Sequence, residues 1–213
     1  MNDELLQLFP QPVVISSYGR NYEKELEWIR EQDSRVVEQR EFTTQSRFSP
    51  ARQSVNSFIL DAPELKKIRT FIETKLNEYV THVLGSKDKF VITQSWFNKS
   101  KKGESHSEHS HPNSIVSGVW YPVINKQLPP LQFMKTPSKQ IVFNVEKYNN
   151  FNSETFLLPL NPGELVIFPS TLSHSVPPNK YDEERISLSF NTWVKGNMGT
   201  IESLTYLPVD RLI

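Results

Sequence analysis

His106-Ser-Glu-His-Ser-His-Pro-Asn-Ser-Ile-Val-Ser-Gly-Val-Trp-Tyr121 crowds three of the chain's five histidines and one carboxylate into six residues, then runs into an apolar segment of β type. A second stretch answers it downstream: Gly163-Glu-Leu-Val-Ile-Phe-Pro-Ser-Thr-Leu-Ser-His174, followed by Arg185-Ile-Ser-Leu-Ser-Phe-Asn191. Residues two apart on a strand point to one face. His109 and His111 are such a pair. His106 and Glu108 are another, and they point the opposite way if the strand is unbroken. On the last strand Arg185, Ser187, Ser189 and Asn191 share one face, while Ile186, Leu188 and Phe190 share the other. A polar stripe that begins with arginine is odd on a buried strand unless something charged lies against it.

Around these stretches the period is two. Strands are predicted over Phe90–Phe97, Ile115–Val123, and near 131–134, 141–145, 155–160, 164–168 and 185–194. Asn149-Asn150 and Asn161-Pro162-Gly163 mark turns between them. Earlier in the chain the period is helical. Tyr22, Leu26 and Ile29 share a face over residues 20–32. Leu65, Ile68, Phe71, Ile72, Leu76, Tyr79, Val80 and Val83 repeat as far as about Leu84, with Asp61 as cap, Pro63 in the first turn and Gly85 as stop. Residues 5–15 lead into a short strand, which Pro10 and Pro12 place at a sheet edge. Residues 33–52 read as a polar loop over a pocket, and Ser54–Leu60 as a short strand. Two helices followed by about eight strands predict a mainly β fold: a double-stranded β-helix, or jelly roll, with the helices packed on one sheet. One domain over 1–213 is expected, with 1–88 as support and 89–213 as the jelly-roll core.

Composition narrows the chemistry. The 213 residues suit one domain with a sizeable core, and 24 basic residues balance 24 acidic ones. Bulk charge therefore indicates neither a nucleic-acid nor a membrane partner. The absence of cysteine excludes disulfides, zinc-thiolate sites and a cysteine nucleophile. The acidic start, Met-Asn-Asp-Glu, is unlike a signal peptide, and no apolar run approaches membrane-spanning length, so a cytoplasmic setting is expected. Fifteen prolines against seven glycines fit a fold rich in strands and loops.

Either close pair, joined by His174, would occupy one face of an octahedron and leave the remaining positions open. That is the facial arrangement of non-haem Fe(II) oxygenases. Arg185 lies eleven residues after His174. Its planar guanidinium matches a carboxylate in two-point geometry, such as the distal carboxylate of 2-oxoglutarate, with Ser187 adding a hydroxyl.

The chain resembles the 2-oxoglutarate/Fe(II)-dependent dioxygenase superfamily, and more closely the small 2OG-Fe(II) oxygenases of bacteria and their phages. The matching motifs are His-Ser-His-Pro-Asn-Ser-Ile-Val-Ser-Gly-Val-Trp-Tyr (109–121), Phe-Pro-Ser-Thr-Leu-Ser-His-Ser-Val-Pro-Pro (168–178) and Arg-Ile-Ser-Leu-Ser-Phe-Asn (185–191). Leu-Phe-Pro-Gln-Pro (8–12) and Trp96-Phe-Asn98 fit the same group. The resemblance implies an iron centre, O2 as oxidant, and 2-oxoglutarate converted to succinate and CO2 while an unidentified substrate is hydroxylated. Carried over from the closer group, the ligands are His109, His111 and His174. The superfamily's own His-x-Asp/Glu pattern fits the alternative pair His106 and Glu108. Arg185, Ser187 and Tyr121 are the expected 2-oxoglutarate contacts, with Asn98 and Asn191 as weaker candidates.

Plainer readings compete. The histidine cluster could be a solvated loop, Arg185 could pair with a buried carboxylate, and Ser187 could be filler. His82 reads as structural, Trp96 and Trp120 as core, and Lys99-Ser-Lys-Lys-Gly103 as a solvated turn. Two other functions stand beside the oxygenase: a non-catalytic metal-binding jelly roll, as in a phage particle, and a cupin-like metalloenzyme that does not use 2-oxoglutarate. A peptide, a nucleotide and a small molecule are all open as substrate, because specificity would lie in loops 33–52, 99–108 and 124–153.

Overall fold

The structure is a computed structural model that describes residues 4–38, 50–135 and 144–211. Among the described residues eleven strands form two sheets. The larger contains β1 (Val14–Ser17), β2 (Ser34–Glu38), β3 (Pro50–Ser54), β4 (Phe90–Ser100), β6 (Val116–Val123), β9 (Glu164–Pro169) and β11 (Arg185–Val194), in the order β1-β9-β6-β11-β4-β3-β2. The smaller contains β5 (His106–His109), β7 (Leu131–Met134), β8 (Thr155–Leu158) and β10 (His174–Val176), in the order β5-β10-β7-β8. Every named pairing is antiparallel. Helices α1 (Glu23–Glu31) and α2 (Lys66–His82) pack on the larger sheet. This is the expected jelly roll, with β1 at an edge.

Strand alternation divides the larger sheet into two faces. Ile186, Leu188 and Phe190 of β11 join Phe97, Trp120, Leu165 and Ile167 under α2, whose Ile68, Ile72, Leu76 and Tyr79 supply the helical side of that core. The other parity turns towards the smaller sheet, where Val119, Tyr121, Val166 and Phe168 meet Leu131, Phe133 and Val176. Each strand therefore carries a support face and an interior face, and the polar stripe of β11 belongs to the interior.

Gly118 is where the support face is tightest. A Cβ there would sit 2.4 Å from Phe190 Cζ and 2.9 Å from the Val166 carbonyl oxygen. Phe190 is fully buried and the carbonyl belongs to a paired strand, so neither yields cheaply. Gly118→Val should cost about 1–3 kcal/mol from overpacking, seen as a fall of several degrees in Tm by circular dichroism. An unchanged Tm would show that Phe190 has room to move.

Several local expectations are corrected. Residues 34–38 and 50–54 are strands rather than loop; residues 39–49 lie outside the described residues. β3 stops at Ser54, and 3-10 turns at Ile59–Asp61 and Pro63–Leu65 replace the strand expected over Ser54–Leu60. Asp61 does not cap α2 but pairs with Arg69 one helical step inward. Most of the expected strand at 141–145 lies outside the described residues, and 144–145 carry no strand. Lys99 and Ser100 belong to β4 instead of a turn. Lys99 Nζ donates to the carbonyls of Arg30 (2.9 Å) and Gln32 (3.1 Å), tying the C-terminal end of α1 to the sheet. Gly85, at φ 65°, ends α2 as expected, and His82 is an exposed residue of its last turn. Among the described residues no helix is long and apolar enough to cross a membrane.

Candidate metal centre

His109, His111 and His174 offer nitrogens that all lie within 4.8 Å of one another. His109 ends β5 and pairs with His174, the first residue of β10. His111 lies just beyond β5, where the following turn at Asn113 (φ 56°) redirects the chain. Its backbone N–H donates to Ser170 O at 2.9 Å, which holds it against the end of β9.

The ring tautomers follow from the acceptors behind them. His109 Nδ1–H donates to Ser107 O (2.7 Å), His174 Nδ1–H to Leu172 O (2.9 Å), and His111 Nδ1–H to Asn191 Oδ1 (2.5 Å). Each Nε2 then carries a lone pair. His111 Nε2 and His174 Nε2 lie 3.2 Å apart, two acceptors facing each other. A shared cation resolves that clash. First-row metals bind imidazole at about 2.1 Å, which separates two ligands at right angles by about 3 Å. The three residues thus fit a metal ion.

Burial also keeps these rings neutral. Loss of solvent pulls His174 down to about 3 and His111 to about 4, and lowers His109 as well. At neutral pH no proton competes for the lone pairs.

His106 and Glu108 separate. Val176 pairs with His106 and His174 with His109, so β5 carries one more residue than β10 across the same interval. The bulge breaks the strict alternation. It turns His106 into the same cavity as the three histidines, where burial and then the charge of Arg185 pull it down to about 3. Glu108 stays exposed on the rim and accepts from Ser173 Oγ at 2.7 Å. It is not among the residues whose ligand atoms converge.

The interior stripe of β11 continues from the histidines to Arg185, which is 1% exposed. Its Nε donates to Pro129 O (3.0 Å), Nη1 reaches Ser187 Oγ at 3.5 Å, and the guanidinium lies 5.2 Å from the centre of the Tyr121 ring. Among the described residues no carboxylate forms an ion pair with it. The Tyr121 hydroxyl is buried beside Arg185 without a hydrogen bond of ordinary geometry, and burial pushes it up to about 12 against the pull of Arg185. Asn98 Nδ2 donates to Ser189 Oγ (3.2 Å), while its buried Oδ1 has no partner.

Histidines, Arg185, Ser187, Tyr121 and Asn98 thus border one cavity. Asn191 does not border it. It stands behind His111, because its place on β11 opposite Ser117 puts the amide at the back of the ring. Trp96 also departs from expectation: it leaves the core and lines the cavity, 5.8 Å from the His111 ring, whereas Trp120 is fully buried core. Gln53 joins the lining from β3, a strand whose polar sequence gave no warning of it.

A jelly roll with three converging imidazoles and a buried arginine that no carboxylate pairs with among the described residues suits a mononuclear metal beside an anion site. Residues 94–191 match the family model described as "Putative 2OG-Fe(II) oxygenase", a span that holds the greater part of β4, both histidine motifs and the polar stripe. Over that span the chain is similar to the 2OG-Fe(II) oxygenases. Among solved structures it is similar to a 2OG-Fe(II) oxygenase family oxidoreductase from Burkholderia pseudomallei, with TM-score 0.60, 10% identity, and 84% of each chain covered. It is also similar to a prolyl-4-hydroxylase from Pseudomonas putida, with TM-score 0.53, 15% identity, and 87% of this chain and 93% of that one covered. A third is HygX from Streptomyces hygroscopicus, solved with nickel, 2-oxoglutarate and hygromycin B, with TM-score 0.56, 9% identity, and coverage of 85% and 82%. No curated protein matches by sequence.

Proposed function

We propose that His109, His111 and His174 hold Fe(II) through Nε2, and that Arg185 receives the distal carboxylate of 2-oxoglutarate. The chain then works as one domain that hydroxylates a substrate while 2-oxoglutarate becomes succinate and CO2. The observation that carries this reading is the buried guanidinium, with no carboxylate paired to it among the described residues, in the same cavity as the converging imidazoles. A buried charge without a partner is costly, and a dianion with one end at the metal would pair with it.

Each residue has a defined task in this reading. The Nδ1 acceptors orient three rings so that their lone pairs converge. Arg185 and Ser187 grip the far carboxylate, and the Tyr121 hydroxyl gains a partner in it. Trp96 and Gln53 border the remaining opening, where a substrate can approach. The bound metal supplies O2 activation, which no side chain here can provide. The primary substrate is a peptide, as the prolyl-4-hydroxylase name suggests for that neighbour, or a small molecule, as in the HygX complex.

The deciding experiment is anaerobic titration of Fe(II)-loaded protein with 2-oxoglutarate, following the weak visible metal-to-ligand charge-transfer band. Wild type and Glu108→Ala should develop the band, and His109→Ala should not. Loss in Glu108→Ala with retention in His109→Ala would move the site to His106 and Glu108. No band in iron-loaded wild type would favour a metal site that does not use 2-oxoglutarate.

A further inference from the structure

The three imidazoles are not held alike. Those of His109 and His174 donate to carbonyls two residues back along their own backbone, acceptors that come with the strands. His111 lies past the end of β5 and has no such acceptor. Its Nδ1 instead meets the side chain of Asn191, 80 residues away in sequence.

Asn191 is itself braced. Ser117 Oγ donates to Asn191 Oδ1 at 2.9 Å and lies 2.7 Å from Ser170 Oγ, which lies 2.8 Å from Ser114 Oγ. Ser114 Oγ accepts the Thr192 backbone N–H at 3.1 Å, which closes the network on β11 itself. Ser117 and Ser170 are completely buried. A connected network with a buried centre specifies one arrangement, since each buried member left unpaired would carry a desolvation cost. Its far end is the half-buried Ser114 beside the β11 backbone. Its near end is one imidazole.

We infer that Asn191, fixed by Ser117, Ser170 and Ser114, is the positioning residue for His111. It keeps the proton on Nδ1 and so presents the Nε2 lone pair to the metal. The inference rests on the reading of His109, His111 and His174 as ligands. Partners that orient ligating histidines change metal affinity about 10- to 100-fold when removed. Those of His109 and His174 are backbone and out of reach of substitution, so Asn191 is the single point at which side-chain chemistry can test this layer.

The test is titration of the apoprotein with Co(II), read by its visible d–d bands and by competition with a chelator. The apoprotein Tm is measured beside it. Asn191→Leu, close in volume and without an acceptor, should weaken Co(II) binding about 10- to 100-fold. Asn191→Asp should bind at least as tightly as wild type, because a carboxylate can only accept and preserves the Nδ1–H tautomer. Rescue by Asp separates tautomer control from packing. The inference is overturned if Asn191→Leu binds like wild type, or if Asp and Leu lose affinity together. His174→Ala runs as the control on the ligand reading. Normal Co(II) binding there sinks the ligand assignment, whereas normal binding in Asn191→Leu alone sinks only the role of Asn191.

Discussion

His174→Ala should abolish 2-oxoglutarate turnover and weaken metal binding by at least about 100-fold, beyond the usual cost of losing an orienting partner alone. The ring supplies one of three converging lone pairs, and 3.2 Å separates its Nε2 from that of His111. Without it the remaining two nitrogens no longer define an octahedral face. The apoprotein should tolerate the change well. In the metal-free protein two acceptors face each other, and deleting one relieves that contact while a small void forms beneath Phe133 and Phe168, whose rings pack on His174. The two effects oppose, so the apoprotein Tm should move little while metal affinity collapses. Competition with a chelator and CO2 release measure the two arms. Unchanged decarboxylation would sink the metal assignment.

Arg185 gives the second large effect, with a sign that separates it from misfolding. Arg185→Met should raise the 2-oxoglutarate requirement by about 100-fold or more, since truncating one partner of a buried, hydrogen-bonded charge pair costs about 2–5 kcal/mol. The same substitution removes a desolvated cation that no carboxylate offsets among the described residues. Replacing such a charge by an apolar side chain of similar length is neutral or stabilising. Apoprotein Tm should therefore hold or rise while the stabilisation conferred by 2-oxoglutarate disappears. Arg185→Lys keeps the charge but not the planar fork, and should fall between. Thermal melts with and without 2-oxoglutarate read both quantities. Equal shifts by 2-oxoglutarate in wild type and Arg185→Met would remove Arg185 from the anion site.

Much of the architecture is legible because it follows from periods. The α2 face repeats over four turns, and β11 alternates without interruption from Arg185 to Phe190. Those patterns fix the layers and set Arg185 and Ser187 on the interior face. Parity fails where the pleat is interrupted. Counting by twos separates His106 from His109, but the extra residue in β5 reunites them, and no side chain nearby announces that bulge. β2 and β3 escape detection because their polar residues carry no alternation, being held by pairing at the far edge of the sheet. Asn191 lies on the expected face yet behind the ligand rather than in front of it. That distinction depends on where the turn after His111 places the ring, which spacing along β11 does not encode.

The neutrality of the groups that hold the three imidazoles has a thermodynamic outcome. Two backbone carbonyls and one amide stand behind them, and no carboxylate ion-pairs with Arg185 among the described residues. With the ligands as proposed, a divalent ion and a guanidinium share one sequestered volume with no counter-ion from the described residues. Dianionic 2-oxoglutarate then neutralises both. Linkage makes the benefit mutual: whatever factor the dianion adds to metal affinity, the metal adds to the dianion's. Such a centre stays labile when starved of its cosubstrate and tightens as the cosubstrate accumulates, so its metal occupancy tracks the supply of 2-oxoglutarate.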